Sequence, residues 1–137
     1  HAKGAPMQDH RPATLEGVVP ILSVRNLQAA IEYYTTVLGF NVAWEWGDPP
    51  YLASVFRDHV ELNLSQIDAA SAVTPSRVYV QVLDLEAYYS QVTAAGAAVD
   101  VALDDRPYGM KDFRIIDPSG NELSFGEASE AVEQAAS

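Results

Sequence analysis

His59 and Glu61 stand two residues apart in the stretch RDHVELNLSQ, residues 57–66, and this spacing could serve a metal ion. Side chains two apart in a β-strand point to the same face, and imidazole nitrogen and carboxylate oxygen are both ligands for zinc and related metals. A catalytic zinc needs about three protein ligands, so the others would have to come from elsewhere in the chain. The alternative is a solvated histidine at a turn beside an ordinary strand glutamate. The spacing alone favours this alternative, because short motifs often match by chance.

Other catalytic arrangements find little support in the sequence. The chain of 137 residues has no cysteine, so it has neither a disulfide framework nor a thiolate site. Besides His59, its only imidazoles are His1 and His10. No glycine-rich phosphate loop is present, and no pair of carboxylates is placed in a way that predicts acid–base catalysis. We therefore expect no catalytic residues.

Charge and hydrophobicity restrict the partners. With 19 acidic and 8 basic residues the net charge is −11, which opposes binding to nucleic-acid phosphates and to anionic membranes. No apolar run approaches the length of a membrane span. A hydrophobic content of 48% over 137 residues predicts one globular domain with a real core. The first 17 residues lack the apolar core of a signal peptide, so we expect a flexible start and a cytoplasmic protein.

A strand and a helix open the folded part. Structure is expected from Val18, where VVPILSV is an apolar run typical of a buried strand. In the following NLQAAIEYYTTVLGF, Asn26 can cap a helix and Gly39 can end it. The helical spacing marks the buried side as Leu27, Ala30, Ile31, Tyr34 and Leu38.

The hydrophobic period then changes to two, which is typical of strands. FNVAWEWG is expected to place Phe40, Val42, Trp44 and Trp46 on one face. GDPP makes a turn, and YLASVFRD and HVELNLSQ supply two further strands. The order of elements is therefore β-α-β-β-β.

The same order recurs after a small, polar linker at residues 67–76. In RVYVQVLDLEAYYSQVTAAGAAVDV, Asp84 takes the place of Asn26 and is expected to cap the second helix, which Gly96 closes. The turn DPSG joins the last two strands. One such unit leaves a sheet face uncovered, so two units must pair.

We therefore predict an α+β fold of two βαβββ modules in a single domain. The predicted boundaries are a flexible segment at 1–17, a domain at 18–127 with modules at 18–66 and 77–127 joined by the linker, and an acidic tail at 128–137.

Strand alternation separates the core from a possible cavity. In VELNLS and RVYVQV alternate apolar residues should pack under a helix, and the residues between them should face the other way. If the two sheets curve into one surface, it is lined by Trp44, Trp46, Glu61, Asn63, Ser65, Tyr79 and Gln81. Aromatic side chains with a few polar groups suit a ligand site. They could equally fill an inter-sheet core or a subunit interface.

Three stretches carry a family resemblance: VPILSVRNLQAAIEYYTTVLGF, RDHVELNLSQ and PYGMKDFRIIDPSGNELSFGE. Together they resemble the glyoxalase/bleomycin-resistance/extradiol-dioxygenase superfamily, also called vicinal oxygen chelate. The resemblance spans residues 18–127 and is closest to the bleomycin-resistance branch. It implies paired βαβββ modules in a homodimer, often with exchanged N-terminal strands, and ligand grooves between the subunits.

The resemblance also bears on the metal. Metal-dependent members carry ligands on the first and last strands of each module, usually His or Gln and then Glu. The matching positions here are Val19, Glu61, Arg77 and Ser124. Only Glu61 could bind a metal, and the permanent charge of Arg77 would repel one. We therefore expect neither metal nor cofactor and treat the His59 spacing as accidental, with Glu61 paired to Arg77 or to a polar or cationic ligand group.

The resemblance implies a protein that confers resistance by sequestering a bulky, DNA-damaging antibiotic, without chemistry. Groove positions of the bleomycin-resistance branch match Trp44, Tyr79 and Tyr108. The two tyrosines stand where bleomycin binders carry tryptophan, which leaves a bleomycin-type glycopeptide and a flat aromatic compound of the enediyne, anthraquinone or mitomycin kind both open. The full set of expected ligand-binding residues is Trp44, Trp46, Glu61, Asn63, Ser65, Tyr79, Gln81, Tyr108 and Met110.

Two other classes of function stay open at this point. A metal-dependent lyase, isomerase or dioxygenase of the same superfamily would need a bound metal ion. A dimer that only scaffolds another factor would bind no small molecule.

Overall fold

The computed structural model describes residues 12–68, 70–72 and 74–129. Its elements follow the order βαβββ twice, so the predicted α+β fold of two modules is confirmed. The first module contains β1 (Ile21–Val24), α1 (Leu27–Glu32), β2 (Asn41–Gly47), β3 (Pro50–Arg57) and β4 (Val60–Gln66). The second contains β5 (Arg77–Gln81), α2 (Leu85–Ala94), β6 (Val99–Asp105), β7 (Met110–Ile116) and β8 (Glu122–Ala128).

Each module forms one four-stranded sheet. The strand orders are β1-β4-β3-β2 in sheet one and β5-β8-β7-β6 in sheet two. The first strand of each module runs parallel to its last strand, and the other neighbours are antiparallel. A parallel pair needs a crossover connection, which α1 and α2 supply. Each helix therefore covers one face of its own sheet and leaves the other face open.

The covered faces of both sheets share one core. Leu62 and Leu64 of sheet one and Phe113 and Phe125 of sheet two belong to a single buried cluster. The ring of Tyr88 on α2 lies 5.1 Å from that of Phe125, between centroids. Its hydroxyl group reaches the first module. Because both covered faces turn toward this core, the open face of each sheet is turned away from it.

A polar joint fixes the two modules to each other. The Tyr88 hydroxyl donates to the Leu38 carbonyl oxygen at 2.8 Å, and the Tyr34 hydroxyl donates to the Asp117 carboxylate at 2.8 Å. Asn121 donates through its side-chain amide to the Ser23 carbonyl oxygen at 2.9 Å. Asp117 is the first residue of the predicted DPSG turn and Asn121 follows it, and both are buried. That turn is thus an inter-module contact as well as a strand reversal.

The first helix begins and ends as expected. The Asn26 side chain accepts a hydrogen bond from the Ala29 amide at 3.0 Å, which is a helix N-cap. A π-helical segment, Tyr33–Val37, continues α1. Gly39 then adopts a φ of +76°, the left-handed conformation that glycine accepts at helix ends.

The predicted cap of α2 is wrong. Asp84 has a φ of 61°, and in this left-handed conformation its side chain makes no capping hydrogen bond. The carboxylate of Glu127, on β8, takes its place and accepts from the Asp84 amide at 3.1 Å and from the Leu85 amide at 3.2 Å. A residue 42 positions away from Leu85 therefore stabilises the start of the helix.

The predicted common face of β2 is also wrong. Val42 pairs with Val55 on the covered face, whereas Trp44 pairs with Ser54 on the open face. A register shift between Val42 and Trp44 separates the two faces, because an extra residue in one strand reverses the alternation. Phe40, at 5% exposure, belongs to the core.

The ends of the domain need one adjustment. β8 continues through Ala128, and Ser129 is buried, so the predicted acidic tail does not begin at residue 128. Residues 130–137 of that tail and residues 1–11 of the predicted flexible start lie outside the described part of the chain. None of the helices in the described part has the length and apolar character needed to cross a membrane.

We expect Glu127→Ala to lower the free energy of unfolding by about 1 kcal/mol, the usual loss for a helix cap. The amides of Asp84 and Leu85 lose their acceptor in this variant. Asp84→Asn is the matched control and should change stability by less than about 0.5 kcal/mol, because asparagine tolerates a positive φ. Urea denaturation followed by circular dichroism measures both. A larger loss of unfolding free energy for Asp84→Asn than for Glu127→Ala would mean that Asp84, and not Glu127, caps α2.

Candidate functional site

The open face of sheet one carries two indole rings. Trp44 is 41% exposed and Trp46 is 64% exposed. Together with Leu52, which pairs with Trp46, they line a shallow apolar depression of about 370 Å³. Large exposed aromatic side chains gathered on one surface are typical of binding sites.

Polar groups lie beside the indoles on the same face. Ser54, which pairs with Trp44, donates its hydroxyl proton to the Glu61 carboxylate at 2.6 Å. Asn63 pairs with Ser54, and its side-chain oxygen is buried without a hydrogen-bond partner among the described residues. Ser65 is partly buried, two residues farther along the same strand. Sheet one therefore brings five of the expected site residues, Trp44, Trp46, Glu61, Asn63 and Ser65, onto one face.

The open face of sheet two is organised around a carboxylate that the sequence analysis missed. Asp112 is 5% exposed. One of its oxygens accepts hydrogen bonds from the hydroxyl groups of Tyr79, at 2.9 Å, and Tyr108. Its other oxygen accepts from Arg106 Nε at 2.7 Å. A signal for Asp112 was present in KDFRII, where the core residue Phe113 turns Asp112 to the open face.

The electrostatics of this cluster favour a charged Asp112. Burial raises the pKa of its carboxyl group, but hydrogen bonds from Arg106, Tyr108 and Tyr79 outweigh burial and leave the pKa below its ordinary value. Burial and the hydrogen bond to Asp112 raise the pKa of Tyr79. The two phenols therefore stay protonated donors and the carboxylate stays their acceptor around neutral pH.

The remaining expected residues lie at the edges of these faces. Met110 is partly buried and two residues from Asp112 on β7. Gln81 lines a different cavity, a groove of about 600 Å³ to which both modules contribute, with His59 also among its lining residues. There the Arg57 guanidinium lies 5.0 Å from the centre of the Tyr88 ring. Gln81 thus lies on the same strand as Tyr79, at the end that borders this groove.

In the described part of the chain, Trp44 and Tyr79 lie on different sheets rather than on the expected single surface. Trp44 lies on the open face of sheet one and Tyr79 on the open face of sheet two, and each face is turned away from the shared core. Neither the Trp44 depression nor the groove between the modules contains both residues. Residues of both helices belong to the core that the two covered faces share.

His59 and Glu61 do not share a strand face as their spacing suggested. His59 is exposed in the turn before β4 rather than in the strand. No group of three or more His, Cys, Asp or Glu side chains in the described residues is placed to hold a metal ion. Glu61 does not pair with Arg77 either, because its partner is Ser54.

The register also corrects one matching position of the expected ligand set. Arg77 stands beside Glu122, not Ser124, and its Nε lies 3.2 Å from the Glu122 carboxylate. Ser124 pairs with Tyr79. The glutamate of the second module that corresponds to Glu61 is therefore Glu122, and it is already engaged by an arginine.

Two βαβββ modules around one core, each presenting an open sheet face, define the vicinal oxygen chelate class of proteins. The chain belongs to the glyoxalase/bleomycin resistance protein/dioxygenase superfamily, whose family model matches residues 15–125. No curated protein matches the chain.

Solved structures with the same fold include both binding proteins and an enzyme. The bleomycin-binding protein from bleomycin-producing Streptomyces verticillus, complexed with copper(II)-bleomycin, is 23% identical with a TM-score of 0.68, over 87% of this chain and 100% of that one. TnmS3, an antibiotic binding protein from Streptomyces sp. CB03234, is 20% identical with a TM-score of 0.66, over 85% and 100%. Lactoylglutathione lyase from Agrobacterium tumefaciens is 21% identical with a TM-score of 0.67, over 84% and 96%. At these identities the likeness establishes the fold.

Gly126→Ala should destabilise the protein by forcing Tyr79 out of its position on the open face. A Cβ atom at Gly126 would lie 2.6 Å from Tyr79 Cζ and closer still to the hydroxyl oxygen, so the ring must move away from Asp112. We expect a loss of about 1–3 kcal/mol in the free energy of unfolding, as for other overpacked sites. Gly17→Ala is the control, because a Cβ atom there meets nothing within 4 Å. Adding Tyr79→Ala to Gly126→Ala should recover part of the loss, and a strictly additive double variant would contradict the collision.

Proposed function

We propose that this protein binds an aromatic, DNA-damaging antibiotic and sequesters it without chemical conversion. The observation that carries the proposal is the pair of exposed indoles, Trp44 and Trp46, on an open sheet face beside Glu61 and Asn63. Indole rings offer a large apolar surface and favour offset stacking on other aromatic rings. The neighbouring carboxylate and amide can fix the polar edge of a bound ligand.

In metal-dependent members of the superfamily, certain positions hold the metal ion. The residues at these positions here support antibiotic binding without catalysis. Val19 has no donor atom, and Arg77 carries a permanent positive charge that disfavours a metal cation. Arg77 also occupies the Glu122 carboxylate, at 3.2 Å. A set of two glutamates, an apolar residue and an arginine is a poor match for the nitrogen and oxygen ligands of zinc or iron enzymes.

A homodimer is the assembly that the proposal requires. Within one chain the Trp44 face and the Tyr79 face are turned away from their common core. A second copy could set its sheet-two face against the sheet-one face of the first. The groove would then lie between subunits and combine indoles with tyrosines. The bleomycin-binding protein and TnmS3, which share this fold, lend the antibiotic-binding proposal further support.

The competing proposal is a metal-dependent lyase, isomerase or dioxygenase. Its support is the register, which gives Glu61 and Glu122 equivalent places in the two modules, and the shared fold of a lactoylglutathione lyase. Elemental analysis of the purified protein separates the proposals. Stoichiometric zinc, nickel or iron that is lost in Glu61→Gln would favour the enzyme.

A thermal-shift screen against DNA-damaging antibiotics tests the leading proposal. A ligand at a hundred times its dissociation constant should stabilise the fold by about 2.7 kcal/mol. With the compound that the screen returns, binding should quench tryptophan emission, and Trp44→Ala should weaken affinity by roughly 2- to 12-fold, since a stacked aromatic pair contributes about 0.5–1.5 kcal/mol. Tyr51→Ala is the control, because Tyr51 is 50% exposed but lies on the other face of the adjoining strand. Equal affinity for wild type and Trp44→Ala would remove Trp44 from the site.

Light scattering at micromolar concentration should give about twice the chain mass of 14.9 kDa. The physical reason is that two open sheet faces carry exposed aromatic residues that a partner can cover. A stable monomer that still binds the antibiotic would contradict a groove shared between subunits.

A further inference from the structure

We propose that Asp112, held by Arg106, is a positioning residue that fixes Tyr79 and Tyr108 as a stacking platform for a flat, polycyclic aromatic ligand. The inference rests on the proposed function and narrows its ligand class. Neither Asp112 nor Arg106 was among the residues that sequence reasoning selected.

Arg106 is fixed on several sides. Its Nε donates to the Asp112 carboxylate at 2.7 Å, and its Nη2 donates to the carbonyl oxygens of Asp112, at 2.8 Å, and Ala102, at 2.6 Å. A planar guanidinium with this many fixed acceptors has little freedom to rotate. The Asp112 carboxylate that it holds is therefore also fixed.

The two phenols converge on one oxygen of that carboxylate. Tyr79 comes from β5 and Tyr108 from the loop before β7, and both donate their hydroxyl proton to Asp112 Oδ2. Tyr79 also lies against Gly126 of β8, where even one added carbon would collide with its ring. The missing side chain at Gly126 thus lets the ring lie close to the sheet.

The outward surfaces of both rings remain available. Tyr79 is 45% exposed and Tyr108 is 64% exposed. Each phenol has a single proton to donate, and Asp112 already accepts it. What the cluster offers to a ligand is therefore the faces of two aromatic rings rather than hydrogen-bond donors.

The charge of the cluster points to the ligand class. Asp112 is negative, but the Arg106 guanidinium at 2.7 Å compensates this charge. The carboxylate that holds the two phenols thus carries no unpaired charge for a cationic glycopeptide to neutralise. A buried ion pair often adds little net stability to the fold. The contribution of the Arg106–Asp112 pair is to hold the orientation of the two rings. A flat, uncharged polycycle matches two fixed ring faces best, because aromatic pairs gain from stacking.

The test uses quinizarin, an uncharged flat hydroxyanthraquinone, and isothermal titration calorimetry on the full chain. Wild type should bind it. Asp112→Asn should weaken binding roughly tenfold, the loss that about 1.4 kcal/mol represents. Lys111→Gln is the matched control. It also removes one charge from β7, but Lys111 pairs with Glu86 on the helix side, at 2.8 Å, and the affinity should stay within about twofold of wild type.

A double-mutant cycle separates positioning from direct contact. Tyr79→Phe keeps the Asp112–Arg106 pair, so its fold is preserved even if Asp112→Asn is unstable. If the Tyr79 hydroxyl acts only through Asp112, the double variant should bind quinizarin no more weakly than Asp112→Asn alone. Additive losses would mean that the hydroxyl contacts the ligand, and unchanged affinity in both single variants would mean that Asp112 positions nothing. Either result overturns the inference.

A spectroscopic titration tests the hydrogen bonds between the two phenols and Asp112 in solution. Asp112 raises the pKa of Tyr79 and Tyr108, so phenolate absorption in Asp112→Asn should develop at lower pH than in wild type. An unchanged titration would mean that Tyr79 and Tyr108 do not contact Asp112 in solution, and it would refute the proposal.

The ligand class can fail while the proposed function survives. The wild-type protein could bind copper(II)-bleomycin but not quinizarin. That result would refute the flat-ligand inference and leave the antibiotic-binding proposal in place. Failure of both compounds and of the whole antibiotic screen would refute the two together.

Discussion

The arrangement of the two modules depends on one buried carboxylate, Asp117. It accepts hydrogen bonds from the Tyr34 hydroxyl at 2.8 Å, from the Ser119 and Asn121 amides at 2.8 and 2.9 Å, and from the Asn121 side chain at 3.0 Å. A buried carboxylate without such donors would be costly. Because Tyr34 belongs to the first module and the other donors to the second, satisfying this one group sets how the modules meet.

That joint decides where the open sheet faces lie. With Tyr34 and Tyr88 reaching across the boundary, both helices are drawn into the common core. The open sheet faces are consequently turned away from each other, with their aromatic residues toward solvent. A single chain therefore presents two aromatic faces of different chemistry, and the proposed groove would combine them only across a second chain.

The two open faces hold their aromatic rings in different ways. On sheet one the indoles of Trp44 and Trp46 stand beside a shallow apolar depression, with Glu61 held by Ser54. On sheet two the phenols are tied to an ion pair that fixes them. These contacts order the phenols. Preorganised groups lose less entropy on binding.

The sequence by itself determined the helices and strands. It did so because the hydrophobic period and the capping residues act locally. The repeated βαβββ order, the Asn26 cap and the covered face of β4 all follow from neighbours along the chain. Only the tertiary structure decided the β2 bulge that separates Trp44 from Val42, the capping of α2 by Glu127 and the cluster around Asp112. These features depend on register and on contacts between strands far apart in sequence. Alternation tells which way a side chain points within its own strand, but the packing of one element on another decides what it meets there.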